Sequence, residues 1–501
     1  MYMTKHNIWK KDSYKNIPSK MIKLSREEAG IFLGTTPIKC RGFNLRDVFR
    51  PFYVDFPVIK PEIEDGHISI FGGSNSGKSS DIVIPTLIET WTAPFVAIDI
   101  KGELKREYDK RPHRRKTKLF SLTDKKGCSY DPFDYLRKCS EKDLVANICE
   151  LSNALIPLPI DVREPFWIQS AQNLLTAAIL YYLDSGLIFI DTMIEIMTTP
   201  PANLIKKIGE SENTMAKIFI NNLIADIDEN DAEDTGDIDI QTLSDSKMLI
   251  GIGQEITNNL SIFASDQRVI DALTPSKKQI HWDKDVKTYN IFISVPEDRL
   301  EQYGRVLSMI LTQLIRILER RPEKHSADGA KQKQVLLMFD EFPRYKLEVI
   351  TSAISTLRSK KVTIVIVCQS LAQLDKLYGE KTRRIILDNC SYVAILRAND
   401  AETQEYFSKI VGMTSKTKNS LNMNYDSFMQ VAGYSQQLFD AIEPIIYPHE
   451  FATLPDIVLI TPKGYCRIDK APYYRKSEQR NCNNAITEVL NFIECFIKKF
   501  V

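Results

Sequence analysis

Gly72-Gly73-Ser74-Asn75-Ser76-Gly77-Lys78-Ser79 decides the fold of this 501-residue chain. The stretch fits G-x-x-x-x-G-K-[ST], the phosphate-binding loop of nucleotide hydrolases. His67-Ile68-Ser69-Ile70-Phe71 before it alternates and is β-branched, so it is predicted as a buried strand. Ile82, Val83, Ile84 and Leu87 after it begin an apolar helix, with Pro85 making its first turns irregular. Glycines let such a backbone turn tightly with its N–H groups inward, and the helix start adds partial positive charge. The whole run Gly72, Gly73, Ser74, Asn75, Ser76, Gly77, Lys78, Ser79 and Ser80 is the candidate nucleotide cradle. Lys78 would reach the β- and γ-phosphates, and the Ser79 hydroxyl would ligate Mg²⁺. A glycine-rich surface turn is the plainer alternative, but it explains neither flank.

A phosphate loop needs a partner strand ending in acids. Val335-Leu336-Leu337-Met338-Phe339-Asp340-Glu341 is such a strand. Asp340 would hold Mg²⁺ through water, and Glu341 would polarise the attacking water. Val362-Thr363-Ile364-Val365-Ile366-Val367-Cys368 is uniformly apolar, so it is predicted as a central parallel strand. Gln369 follows it. Its amide either senses the γ-phosphate and lytic water or simply caps a helix. Asp340 follows Lys78 by about half the chain's length, far more than a compact nucleotide core needs. Between them, apolar residues recur at helical spacing in 144–155, 167–183 and 193–208, and strand signals are scarce. The architecture is therefore α/β, with an all-α unit inserted into the nucleotide-binding core. The expected division is a basic segment 1–61, a core of 62–135 and 274–475, a helical insertion 136–273 and a terminal amphipathic helix 476–501.

Bulk numbers exclude some classes. Composition is that of a globular protein, with 43% hydrophobic and 26% charged residues. The net charge of +1 means that nucleic-acid binding must come from local patches. Nine scattered cysteines without a C-x-x-C pair give neither a zinc ribbon nor a redox motif, and they fit a reducing cytoplasm. No apolar window is long enough for a transmembrane helix.

Further strands are expected at 94–99, 118–122, 289–295, 391–396, 456–461 and 465–468. The 94–99 strand runs into Asp99-Ile100-Lys101-Gly102-Glu103-Leu104, a charged cluster placed where α/β sheets bind ligands. A basic run follows: Lys105, Arg106, Lys110, Arg111, His113, Arg114, Arg115, Lys116 and Lys118. It is either a solvated face or a DNA phosphate contact. The basic, aromatic start (Trp9, Lys10, Lys11, Tyr14, Lys15, Lys20, Lys23) is either a solvated arm or a contact with an anionic membrane or partner. Ser25-Arg26-Glu27-Glu28 resembles a helix start. Asp226 to Asp239 is an acidic loop, a connector or a lure for a basic partner. The tail from Asn484 to Val501 carries one apolar helical face, for its own domain or for a partner.

The order of these motifs resembles the TraG/TraD type IV coupling proteins, the ATPases of conjugative DNA transfer. Asp99-Ile100-Lys101-Gly102-Glu103 stands where that family usually has D-P-K-G-E. Tyr130-Asp131-Pro132-Phe133-Asp134, Glu164-Pro165-Phe166-Trp167 and Asp340-Glu341-Phe342-Pro343 match further boxes. So do Cys368-Gln369-Ser370-Leu371-Ala372-Gln373-Leu374 with Tyr378-Gly379, and Lys470-Ala471-Pro472-Tyr473-Tyr474. The resemblance covers about residues 65–475. It implies a RecA-like P-loop NTPase core with an all-helical cap, assembled as a homo-hexamer. It implies ATP and Mg²⁺, relaxase-bound single-stranded DNA as cargo, and type IV secretion channel proteins as partners. In such rings a neighbour's arginine completes the site, and Arg397 and Arg358 are the candidates.

Two departures stand out. Most members carry amino-terminal transmembrane helices, and this chain shows none, so a separate small membrane protein would anchor it, or it works in the cytoplasm. A peripheral place at the inner face of the cell membrane is the expectation. Where the family often has arginine before Pro444-Ile445-Ile446-Tyr447-Pro448, this chain has Glu443. Two other functions remain open on the residues: a RecA-like motor of DNA segregation or processing, and a nucleotide-switched docking adaptor with little turnover.

Overall fold

The computed structural model describes residues 17–23, 28–40, 52–112, 115–124, 126–159, 164–231, 247–425 and 431–475. The aromatic start at Trp9 to Lys15, most of the helix start at Ser25, His113 and Arg114, the acidic stretch beyond Asp231 and the tail 484–501 lie outside the described residues. Lys20 and Lys23 of the basic start are ion-paired with Glu64 and Glu28.

The thirteen strands among the described residues are β1 (Gly30–Cys40), β2 (Phe52–Pro61), β3 (Ile68–Gly72), β4 (Phe95–Ile98), β5 (Thr117–Ser121), β6 (Asn290–Ser294), β7 (Val335–Phe339), β8 (Val362–Cys368), β9 (Tyr392–Arg397), β10 (Met413–Tyr425), β11 (Val431–Pro444), β12 (Ile457–Thr461) and β13 (Gly464–Ile468). Nine of them form one sheet in the order β13-β12-β9-β3-β8-β7-β4-β6-β5. From β9 to β5 all neighbours pair in parallel, and β12 and β13 close the other edge antiparallel. Every strand expected from 67 onward is present.

Strands β3, β4, β7 and β8 are buried throughout, as a parallel sheet covered on both faces requires. Their side chains alternate between two apolar clusters. Phe71, Ile98, Phe339 and Ile366 face the helical side. Ile70, Ala97, Met338 and Val367 face the side covered by the β1–β2 hairpin and the helix after the phosphate loop.

That hairpin corrects the expectation of a basic arm over residues 1–61. Gly30–Cys40 and Phe52–Pro61 pair antiparallel and bury Ile31, Leu33 and Val58 in the core. Polar ties hold it down: Phe32 N donates to Thr86 Oγ1 at 3.1 Å, and Thr90 Oγ1 donates to Gly30 O at 2.7 Å. Its Thr35 exchanges backbone bonds with Asp469 beyond β13. A second long hairpin, β10–β11, stands outside the main sheet and exposes Met413, Leu438 and Ile442. The sequence reading had no element there.

Between β5 and β6 the described residues form helices and their connections, with no strand apart from a bridge joining Ser129 to Gln279 at the entry and exit of the insertion. The longest helices there are Glu141–Leu155, Phe166–Asp184, Thr214–Asp231 and Lys247–Ser265. Among the described residues the apolar core of the insertion is continuous with that of the sheet. Leu174, Phe189 and Phe263 belong to the same apolar cluster as Ile291 and Phe339 of the sheet. Trp167 lies against Gly251, where a Cβ would stand 2.8 Å from the indole ring, so the two long helices approach as closely as glycine allows.

Phe189 is fully buried and meets Phe133 and Phe263 edge-on, each at 5.5 Å between centroids. Phe189→Ala is expected to cost about 3–5 kcal/mol of unfolding free energy, read as a lowered denaturant midpoint. A midpoint unchanged by the substitution would contradict a shared core.

Candidate nucleotide-binding site

Parallel pairing lays the carboxyl ends of β3, β8, β7 and β4 side by side at one edge. The ends deliver the candidate side chains: Lys78 after β3, Gln369 after β8, Asp340 and Glu341 after β7, and Asp99 and Lys101 after β4. Residues far apart in sequence thus share one crevice, the usual ligand position in open α/β sheets.

The loop after β3 turns through Gly77 at φ 99°, a left-handed conformation that a side chain would oppose. A Cβ there would also stand 2.0 Å from Asp81 Oδ2. The following helix winds in wide π-type turns over Lys78–Val83 and Thr86–Thr90, on either side of Pro85. Lys78 is buried, and its ammonium donates to the carbonyls of Gly72 at 2.5 Å and Gly73 at 3.2 Å. Burial lowers its pKa, against the pull of Glu341 and Asp340. Ser76 Oγ is buried without a hydrogen-bond partner, and Ser79 is half-buried at the start of the helix. An unpaired hydroxyl and an ammonium resting on loop carbonyls fit a cradle that phosphate oxygens would complete.

Asp340 is 5% exposed, and burial, reinforced by the neighbouring Glu341 and Asp99 carboxylates, pushes its pKa up to about 7. Asp99 is also raised by burial; its Oδ2 accepts from Lys105 N at 2.8 Å, while Oδ1 has no partner. Among the described residues no group of three or more His, Cys, Asp or Glu side chains could by itself hold a metal ion. Ser79 and Asp340 would be the residues to hold Mg²⁺, whose charge would favour the ionised form of the buried Asp340 carboxyl.

Glu341 has φ 49°, a left-handed conformation rare outside glycine and concentrated at functional sites. Its Oε1 accepts from Lys101 Nζ and its Oε2 from Gln369 Nε2, both at 2.9 Å. Burial acts to raise this carboxyl, but the Lys101 bond and charge hold it below its ordinary range. Gln373 Nε2 in turn donates to Gln369 Oε1 at 3.3 Å, so Gln369 is the middle of a chain and not merely a cap. Phe342 stacks on Tyr378 at 5.3 Å with the rings nearly parallel, which ties the Asp340-Glu341 turn to the helix after Gln369.

Arg397 and Arg358 separate. Arg397 ends β9 beside its own phosphate loop: its guanidinium donates to Ser74 O at 2.7 Å, and its backbone carbonyl accepts from Gly73 N. Its Nε is buried without a partner. Arg358 is exposed just before β8, at the opposite edge of the sheet from this loop.

The basic run is largely occupied within the chain. Lys105 pairs with Asp109, Lys110 with Glu107, Arg111 with Glu89 and Lys118 with Asp285, and Arg115 donates to Thr92 O. Glu443, in the position where the resemblance leads one to look for arginine, is paired with Lys416 and Lys418 on the adjoining strand β10 and is held near pKa 2. Lys101 lies in this crevice although motif reading assigned it no individual role. Its signal was the charged cluster at the end of β4, but nothing in the sequence pointed from Lys101 to Glu341.

Comparison with known proteins gives the same picture. A family model described as Type IV secretory system Conjugative DNA transfer matches residues 17–493. The protein VirD4 of Rhizobium rhizogenes is 25% identical over 426 residues, covering 82% of this chain and 59% of the relative. The conjugal transfer protein TraG of Escherichia coli is 23% identical over 409 residues, covering 78% and 62%. The chain thus spans about three fifths of the length of these curated relatives. Among solved structures, the unbound conjugative coupling protein TrwB lacking 70 amino-terminal residues superposes with a TM-score of 0.58 at 16% identity, over 81% of this chain and 85% of that one. TrwB in complex with ADP and Mg²⁺ gives 0.57 at 15% identity, over 89% and 94%. The shared fold is the RecA-like P-loop NTPase core. Among the described residues no helix is long and apolar enough to cross a membrane.

The raised Asp340 pKa has a consequence for stability. A free carboxyl titrates near about 3.9, so between about pH 4 and 7 the unfolded chain ionises while the folded chain keeps its proton. Without Mg²⁺ and nucleotide, unfolding free energy is therefore expected to fall from pH 5 to pH 8, by about 1.4 kcal/mol per pH unit at most from this group. Denaturant unfolding of Asp340→Asn should show a shallower decline than wild type. Parallel pH profiles would contradict the assignment.

Proposed function

The chain belongs to the type IV secretory system conjugative DNA transfer family, and from that premise we propose that it is the ATPase coupling protein of a conjugative type IV secretion system. It would recruit relaxase-bound single-stranded DNA and drive its transfer by ATP hydrolysis. The observation that carries this reading is the convergence of Lys78, Asp340, Glu341 and Gln369 on adjacent strand ends. A docking adaptor without turnover would not need a buried carboxylate linked to a sensing amide.

In this mechanism the ATP phosphates replace the Gly72 and Gly73 carbonyls as partners of Lys78, and the backbone from Gly72 to Ser80 cradles them. Bound Mg²⁺, held by Ser79 and Asp340, would neutralise charge on the phosphate oxygens. Glu341 takes a proton from water as the water oxygen attacks the γ-phosphorus and the bond to the ADP oxygen breaks. Gln369 bonds Glu341 before the reaction and turns its amide to the phosphate once ATP is present, which reports nucleotide state along Gln373. Arg397 steadies the loop within its own subunit through Ser74. Arg358, exposed at the far edge of the sheet, can serve only a neighbour's site, so it is the better candidate for an arginine acting between subunits of a hexamer. Such an arginine is typically worth on the order of 10³–10⁵ in rate. The proposed setting is the cytoplasmic face of the cell membrane, beside the secretion channel.

ATP turnover measured with and without single-stranded DNA at fixed salt is the test. DNA is expected to raise it, and Lys78→Ala should abolish most of it. Glu341→Gln should still bind ATP but hydrolyse it about 10²–10⁴-fold more slowly. Wild-type turnover in Lys78→Ala, or ATP binding with no turnover under DNA, would sink the motor assignment.

A further inference from the structure

Glu341 is held from two sides. The strand order β8-β7-β4 puts Gln369 on the phosphate-loop side of the carboxylate and Lys101 on the side away from it. Gln369 Nε2 caps Oε2 and Lys101 Nζ caps Oε1, both at 2.9 Å. With its backbone in the left-handed region, Glu341 depends on these two donors for the direction of its carboxylate.

We propose that Lys101 is a positioning residue for hydrolysis, holding Oε1 of Glu341 so that Oε2 faces the lytic water when Gln369 lets it go. The inference rests on the ATPase reading above and adds a residue to it. The two donors then have different tasks. Gln369 is exchangeable, because its amide has the phosphate as an alternative partner. Lys101 is not, because it lies beyond Glu341 from the phosphate loop and cannot reach nucleotide without passing the carboxylate.

The loop bearing Lys101 is built for a fixed aim. Asp99 N donates to Ile293 O at 2.9 Å, and Asp99 Oδ2 accepts from Lys105 N, which closes the turn around Lys101. Gly102 follows at φ 65°, a left-handed turn that suits glycine. The Lys101 side chain is itself 45% exposed, so the fold does not depend on burying it.

The test compares Lys101→Ala and Lys101→Arg with wild type and with Lys78→Ala, measuring fluorescent-nucleotide affinity, KM, kcat and unfolding midpoint. For Lys101→Ala, kcat is expected to fall about tenfold or more, since misaiming a reacting group by about 1 Å can cost 10²-fold. Nucleotide affinity and KM should stay within about twofold, the split expected when an interaction acts only in the transition state. Lys101→Arg, which keeps a charged donor for Oε1, should restore much of the rate. Unchanged kcat in Lys101→Ala would overturn the proposal. So would a rise in its DNA-free rate, which would make Lys101 a latch that keeps Glu341 away from water. Equal losses in both variants together with lowered unfolding midpoints would also overturn it, as a structural role. Wild-type turnover that survives Lys78→Ala would instead defeat the ATPase reading itself.

Discussion

Parallel pairing of β3, β8, β7 and β4 is the constraint on which the rest depends. Neighbouring strands lie about 4.8 Å apart and end at the same edge, so four short turns are forced into one crevice. No helix or loop need be aimed individually. Fixing the register of Phe71 against Cys368, and of Phe339 against Ile366 and Ile98, fixes which residues come next on each strand. Gln369 follows β8 directly, Asp340 and Glu341 follow β7, Lys101 lies in the turn after β4, and Lys78 closes the loop that leaves β3. The register in turn rests on apolar side chains that fill two faces of a buried sheet, where a slip of one residue would exchange the faces.

Charge within this crevice is unbalanced, and the imbalance has a sense. Asp99, Asp340 and Glu341 face Lys78 and Lys101, so ionising all three acids would leave excess negative charge where phosphates must enter. The fold resolves this locally. Glu341 takes the Lys101 ammonium and stays ionised, while Asp340, deeper and beside the Glu341 and Asp99 carboxyls, holds its proton to about pH 7. A divalent ion arriving with the phosphates is the partner that would let Asp340 ionise. Lys78 meanwhile keeps to its own loop carbonyls, a weaker partnership than phosphate offers.

Much of this was legible in the sequence because it is local. The phosphate loop declares itself by glycine spacing, and β7 and β8 by unbroken apolar runs that end in Asp340-Glu341 and in Gln369. The insertion follows from the gap between Lys78 and Asp340. What stayed hidden is non-local. The β1–β2 hairpin lies in a stretch whose charged start suggested an arm, and its burial depends on Thr86, Thr90 and Asp469 elsewhere in the chain. The β10–β11 hairpin is rich in Thr, Ser, Asn and Lys. A long antiparallel ladder shapes it, whereas an apolar face would have shown in the residue pattern. Two ion pairs of the basic run, Arg111 with Glu89 and Lys118 with Asp285, reach acids of other elements and so could not be read from the run itself. Arg397 stood out as an arginine after a strand, yet only the fold shows that it rests on its own Ser74.

The most direct test of the account is the position of Lys78 Nζ in a structure of this chain with Mg²⁺ and a non-hydrolysable ATP analogue. The account expects the ammonium to have left the Gly72 carbonyl, now 2.5 Å away, for phosphate oxygens, with the analogue lying along Gly72 to Ser80. An analogue bound elsewhere, or a Lys78 still seated on Gly72 beside it, would contradict the claim that these strand ends form a nucleotide-hydrolysing site.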